Sequence, residues 1–165
     1  MKTTFAPFAL SLTIALTLAS GLAQAQTMGA PAKPMASDAS AYPVAPAAGL
    51  YEAFGEKAGI SSLMADFVQR LRADARIGET FKNANLDNLA SKLSDQLCQL
   101  SGGPCTYKGP DMKTVHSNMD LTRADFNALV EVLQQTMEAR GIPFTRQNQM
   151  LALLAPMHRD VVTPR

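Results

Sequence analysis

His116 and His158 are the only histidines in the chain. His116 closes the stretch Met112-Lys-Thr-Val-His116, so on a helix the thioether and the imidazole project from one face. A neutral imidazole above an apolar floor is suited to ligate a haem iron, because apolar walls keep the macrocycle dry. The same residue could equally be a structural histidine satisfied by its neighbours. No second His lies near it and there is no H-E-x-x-H pair, so a multi-ligand metal site is not indicated. The absence of C-x-x-C-H excludes c-type haem attachment. Neither a nucleophile–base triad nor a glycine-rich phosphate loop is present.

The elements that must carry His116 are helical. Ile60, Leu63, Met64, Phe67, Val68 and Leu71 fall on one face of a helix. Leu86, Leu89, Leu93, Leu97 and Leu100 make a second stripe, closed by Gly102-Gly103-Pro104. A short apolar turn with Met112, Val115, His116 and Met119 follows. Thr122, with Asp125 three residues on, reads as a capping-box start for a helix lined by Phe126, Leu129, Val130, Leu133 and Met137. Gly141-Ile142-Pro143 stops it. The last stripe runs from Met150 to Met157, with Pro156 expected to kink or shorten it. β-branched alternation is absent, so the fold class is all-α.

Composition sets the frame. The 165 residues suit one domain with a tail. An apolar content of 47% can build a core, here from aliphatic residues and nine Met because Trp is absent. The formal net charge of +1 leaves no basic excess for a phosphate backbone, so nucleic acid is excluded as a partner. Lys2, the apolar run Phe8–Leu18 and Ala23-Gln24-Ala25 form the three-part pattern of a cleaved signal peptide over residues 1–25. That run is short for a span of about 20 residues, so stable membrane insertion is not expected. Residues 26–48, rich in Ala, Pro, Ser and Gly, read as a flexible linker. The folded domain then covers 49–165, in a periplasmic or secreted protein. In that oxidising setting Cys98 and Cys105, which flank the Gly102-Gly103-Pro104 turn, suggest a disulfide worth roughly 2–3 kcal/mol by loop closure. Two free thiols, one of them buried, are the alternative.

Leu50 to Val162 resembles the group I truncated haemoglobins. The matching stretches are LYEAFGEKAGI (50–60), DFVQRLRADARI (66–77) with Phe81 after it, GGPCTYKG (102–109), DMKTVH (111–116), DFNALVEVL (125–133) and APMHRDVV (155–162). The resemblance implies a two-over-two helical sandwich holding one haem b per chain, with His116 as the proximal iron ligand. It implies that Phe81 wedges against the haem and that Met112 and Val115 pack on the proximal side. Leu89, Leu93 and Leu97 would lie over the distal face, Phe126 and Leu129 behind the ring, and Lys92 near a propionate. His158 is similar in place to a His that some relatives bond covalently to a haem vinyl; a surface His is the alternative reading.

The departures bear on activity. Val68 stands where the family commonly has Tyr, and Leu93 where Gln is common, so the distal pocket reads as apolar. Gln96, one turn past Leu93, is the nearby polar candidate, either donating one hydrogen bond or facing solvent. The expected function is binding of dioxygen, carbon monoxide or nitric oxide, with a periplasmic reductant as a further partner. Nitric oxide or peroxide turnover stays open, although no distal acid–base group supports it. A haem-free periplasmic helical module is the alternative. Electron transfer with Met64 as second axial ligand would need rearrangement, and Met119 is too close in sequence to reach the opposite face.

Overall fold

The computed structural model describes residues 45–163. The expected signal peptide, and the expected linker as far as residue 44, lie outside the described residues. The elements are α1 (Leu50–Ala53), α2 (Glu56–Ala73), a 3-10 turn at Gly78–Phe81, α3 (Leu86–Leu100), α4 (Met112–His116) and α5 (Arg123–Ala139). They end with α6 (Phe144–Leu154), a second 3-10 turn (Ala155–Met157) and α7 (His158–Val161). Among the described residues there is no strand, so the all-α reading holds.

The stripe expected on α2 is buried in full: Ile60, Leu63, Met64, Phe67, Val68 and Leu71. A fully buried aliphatic side chain contributes about 1.5–3 kcal/mol, so this face dominates the core. α2 packs on α3 and on α5, while α6 packs on α5 and also meets α1 and α3. The pairs α2–α3 and α5–α6 are the two layers of the two-over-two sandwich. At the start of α2 the chain passes so close to the end of α1 that a Cβ on Gly59 would lie 2.2 Å from the Phe54 carbonyl oxygen. Only glycine permits that approach.

Helix ends follow side-chain chemistry. Asn85 Oδ1 accepts from the Asn88 amide at 3.0 Å and caps α3. The expected box at α5 is complete: Thr122 N donates to Asp125 Oδ2 at 2.8 Å, and Asp125 N donates to Thr122 Oγ1 at 3.2 Å. Pro156, which lacks an amide hydrogen, sits in the 3-10 turn that separates α6 from α7, so it shortens the last stripe as anticipated. On the surface Arg140 ties α5 to α2 through Asp66 and the Ser62 carbonyl. Such an exposed pair is worth at most about 1 kcal/mol.

Buried polar side chains are mostly satisfied locally. Ser94 and Thr136 donate to the carbonyls four residues earlier, at 2.7 and 2.6 Å, and Gln147 Nε2 donates to Ile142 O at 2.8 Å. The Thr163 hydroxyl is buried without a partner, and Gln96, whose partners are thioethers, lies at the site described next.

Candidate functional site

α4 is five residues long and buries none of them. Asp111 fixes its start. Its Oδ1 accepts from the Thr114 amide and its Oδ2 from the Thr114 hydroxyl, both at 2.8 Å. These bonds hold the Asp111 carboxyl below the usual carboxylate range. The helix stops at Ser117, and the loop beyond places Asn118 and Asp120 in left-handed backbone, which these residue types tolerate better than most.

His116 is half-buried at the end of α4. Its Nδ1 lies 2.7 Å from the Met112 carbonyl oxygen. A carbonyl can only accept, so Nδ1 carries the proton and the lone pair is left on Nε2. An imidazole held this way by a backbone carbonyl has the tautomer and orientation of a metal ligand.

Three cavities, of about 130, 290 and 410 Å³, meet at this ring, and each has both His116 and Leu93 in its wall. Together they occupy the space between α3, α4, α5 and α7, with apolar walls. Leu89 and Phe81 line two of them, as do Phe126 and Leu129. Met112 and Gln96 line two, Leu97 lines one, and Lys92 and Val115 line the widest. Thus the sequence-expected residues come together around His116, with one exception. Val68 is buried and is in the wall of none of these cavities; Phe67, one position earlier, lines two. Neighbouring helix positions differ by about 100° in direction, so only one of the pair faces the slot.

Gln96 faces inward. It is 7% exposed, and its Nε2 is engaged by the thioethers of Met112 and Met157, at 3.7 and 3.5 Å. Thioether sulfur is a weak acceptor, so this buried donor is poorly compensated. His158 stacks edge-on against Phe126, with ring centroids 4.8 Å apart at 81°. Phe126 in turn lines the slot, so His158 sits behind that wall. The expected disulfide between Cys98 and Cys105 is formed, with a Cα–Cα distance of 5.7 Å.

Residues that the sequence reading did not assign to the site include Phe67, Met157 and Tyr107. Phe67 and Met157 were legible only as members of apolar stripes. Tyr107 comes from the loop after α3 and lines the widest cavity, its hydroxyl donating to Pro110 O at 2.9 Å. Burial and the nearby Asp111 charge raise its pKa. Among the described residues no cluster of three or more His, Cys, Asp or Glu could hold a bare metal ion. No helix there is long and apolar enough to cross a membrane.

Comparison with known proteins agrees with this architecture. The bacterial-like globin family matches residues 49–163. The group 1 truncated haemoglobin of Tetrahymena pyriformis is 28% identical over 113 residues, covering 68% of this chain and 93% of that protein. Its counterpart from Tetrahymena thermophila is 33% identical over 93 residues, covering 56% and 77%. The crystal structure of the Tetrahymena pyriformis protein in its Fe(III) form superposes with a TM-score of 0.66, over 68% of this chain and 97% of that one. A Synechococcus 2/2 haemoglobin, solved in the cyanomet state with covalently attached haem, shares the fold at 23% identity and a TM-score of 0.64. With an all-helical two-layer sandwich and a match spanning the whole folded part, the chain belongs to the bacterial-like globin family as a group I truncated globin.

Proposed function

We propose that this globin binds one haem b through Nε2 of His116 and that its function is to bind a diatomic gas: dioxygen, carbon monoxide or nitric oxide. The observation that carries this reading is the His116–Met112 hydrogen bond, which commits the Nδ1 proton and leaves Nε2 as a free donor where the apolar cavities meet. The residues fit the group. Phe81, Leu89, Leu93, Leu97, Phe126 and Leu129 supply dry walls for a macrocycle. Met112 and Val115 pack beside the ligating imidazole, and Lys92 is the one Lys or Arg in the cavity walls, suited to a propionate.

When bound, the haem supplies an iron with an open coordination position for a diatomic molecule. What the chain adds on the distal side is mostly exclusion of water. Leu89 and Leu93 can donate no hydrogen bond. The one buried amide in the walls is Gln96, and its weak thioether partners can be exchanged for a better acceptor. We assign Gln96 as the donor available to a bound gas; Val68, which carries no donor, lines none of the three cavities. Carbon monoxide and nitric oxide depend less on such a donor than dioxygen does, so the pocket favours sensing or nitric oxide handling over tight dioxygen storage.

We also place the chain outside the cytoplasm, periplasmic or secreted, with a reductant there keeping the iron ferrous. The leader-like N-terminus and the Cys98–Cys105 bridge support that location, because such bridges persist in oxidising compartments.

The test is reconstitution of the purified chain with hemin, followed by ferric, ferrous and carbon monoxide spectra of wild type and H116A. One haem per wild-type chain, and loss of the histidine-ligated spectrum in H116A, is the expected result. A folded wild type that takes up no haem would leave a haem-free helical module as the better reading.

A further inference from the structure

α4 carries the ligating imidazole but cannot hold its own position. It is five residues long with no buried side chain, and helices that short are unstable alone. On its C-terminal side α7 packs against it, and the Thr163 amide donates to Leu121 O at 3.1 Å in the loop that follows. On its N-terminal side it hangs from the loop of residues 101–111. That loop is fastened to α3 by the Cys98–Cys105 bridge. Cys98 is fully buried in the core, on the helix whose Leu93 and Leu97 wall the slot. The loop also lies flat over the bridge: a Cβ on Gly103 would come within 2.8 Å of Cys98 Sγ and 2.5 Å of the Tyr51 ring.

Past the bridge the loop has only exposed hydrogen bonds. Tyr107 N donates to Gln99 Oε1 at 2.6 Å, and the Tyr107 hydroxyl donates to Pro110 O. Yet Tyr107 and Pro110 line the widest cavity beside Lys92 and His116. The bridge is therefore the covalent cross-link, beyond the main chain itself, between the wall of the slot and the segment that delivers the iron ligand.

We propose that Cys98–Cys105 is a positioning device for His116, and that it makes haem retention respond to thiol redox state; the haem half of this inference rests on the function proposed above. A dithiol reductant breaks the S–S bond, supplying two electrons and two protons, and leaves with a disulfide of its own while Cys98 and Cys105 become thiols. The Cys98 thiol then remains in the core as a small apolar side chain. α3 keeps its packing, the loop is released, and α4 loses its upstream anchor. Loss of a group that orients a metal ligand costs about ten- to a hundredfold in retention.

Two measurements on the full chain test this. The first follows haem transfer to an excess of an apo-globin acceptor, for oxidised protein, dithiol-reduced protein and C98A/C105A. Loss about ten- to a hundredfold faster in the last two, reversed by reoxidation of the wild type, is expected. The second is amide hydrogen exchange on the haem-free protein, oxidised and reduced. Protection should fall over residues 104–121 and persist in α2 and α5. Equal haem loss in all three samples overturns the proposal. So does a uniform fall in protection through α2 and α5, which would mean the bridge only stabilises the fold. If the oxidised chain takes up no haem, the function proposed above fails on its own. Exchange then decides the positional claim, with unchanged protection over 111–117 refuting it.

Discussion

His116 donates its Nδ1 hydrogen to the carbonyl of Met112, 2.7 Å away and one helical turn earlier, so its imidazole is oriented by the backbone of its own short helix. A diffusible imidazole placed in the same space lacks that orientation. The H116G variant should therefore lose the histidine-ligated spectrum and regain it when imidazole is added. Its hemin affinity should stay at least about tenfold below wild type, because the imidazole is no longer tethered to α4 beside the Met112 carbonyl. Hemin titration with and without imidazole measures this. Wild-type affinity in the rescued variant would show that tethering the imidazole to α4 adds nothing to the site.

Gln96 holds an amide in an apolar wall, with only thioethers to receive its protons. Burying a poorly paired amide costs free energy, so Q96L should be as stable as wild type or more stable by about 1 kcal/mol in urea unfolding of the haem-free protein. The same change should speed dioxygen dissociation by roughly tenfold while carbon monoxide dissociation stays within about twofold, since one donated hydrogen bond is worth on the order of 1.4 kcal/mol. Stability gained and dioxygen retention lost in one variant would mark the residue as kept for ligand binding. Equal dioxygen rates would remove Gln96 from the distal role.

Leu93 is shared by all three cavities around His116, and it faces them from α3. Replacing it with an amide supplies a donor in the wall common to all three cavities. L93Q should slow dioxygen release by about ten- to a hundredfold, corresponding to 1–3 kcal/mol for a new hydrogen bond. Stopped-flow ligand replacement gives the rate directly. An unchanged rate would mean that position 93 does not overlook the bound gas.

The contrast between Val68 and Gln96 shows what sequence could and could not convey. The long helices were legible because burial on one face imposes a 3.6-residue period: α2 buries its stripe in full, while α3 buries Leu86 and Leu97 and α5 buries Leu133 and Met137, the rest of those two stripes being partly buried. The capping box at Thr122 was legible for a similar reason, since its two side chains act over three residues. His116 stood out by scarcity and by its offset from Met112. The direction of one side chain at a cavity wall depends on how helices pack, and no local period encodes that. Val68 therefore turns into the core while Phe67 takes the wall. Gln96 is polar yet faces inward, which hydropathy alone would not assign. Tyr107 reaches the slot from a loop, where spacing carries no directional information.

Asp125 has its carboxyl held below its ordinary value of 3.8, chiefly by the Thr122 hydroxyl and then by the Thr122 amide. A carboxylate whose folded pKa is depressed adds stability that is complete above the unfolded pKa and disappears as pH falls through the folded one. Urea unfolding of wild type and D125A should therefore differ by about 1 kcal/mol at pH 7, the usual worth of a helix cap. The gap should hold down to about pH 4 and then close as the solution becomes more acidic. A gap that stays constant through pH 3 would mean the ionised carboxylate is not what closes the box.

Lys92 is the one Lys or Arg in the walls of the three cavities around His116, and it stands beside Asn88 in the widest of them. An ammonium at that place can meet a haem propionate, but it stays half-exposed, where water and salt weaken the attraction. K92A should raise the rate of hemin loss only about two- to fivefold at low ionic strength, the range set by an exposed pair worth under about 1 kcal/mol. The difference should fade as salt is raised, because screening removes the attraction from wild type and leaves the variant unchanged. Transfer kinetics at 10 mM and 500 mM sodium chloride separate the two cases. A salt-independent defect would point to the packing of the lysine's methylene chain against Leu89 and Leu93 instead of its charge.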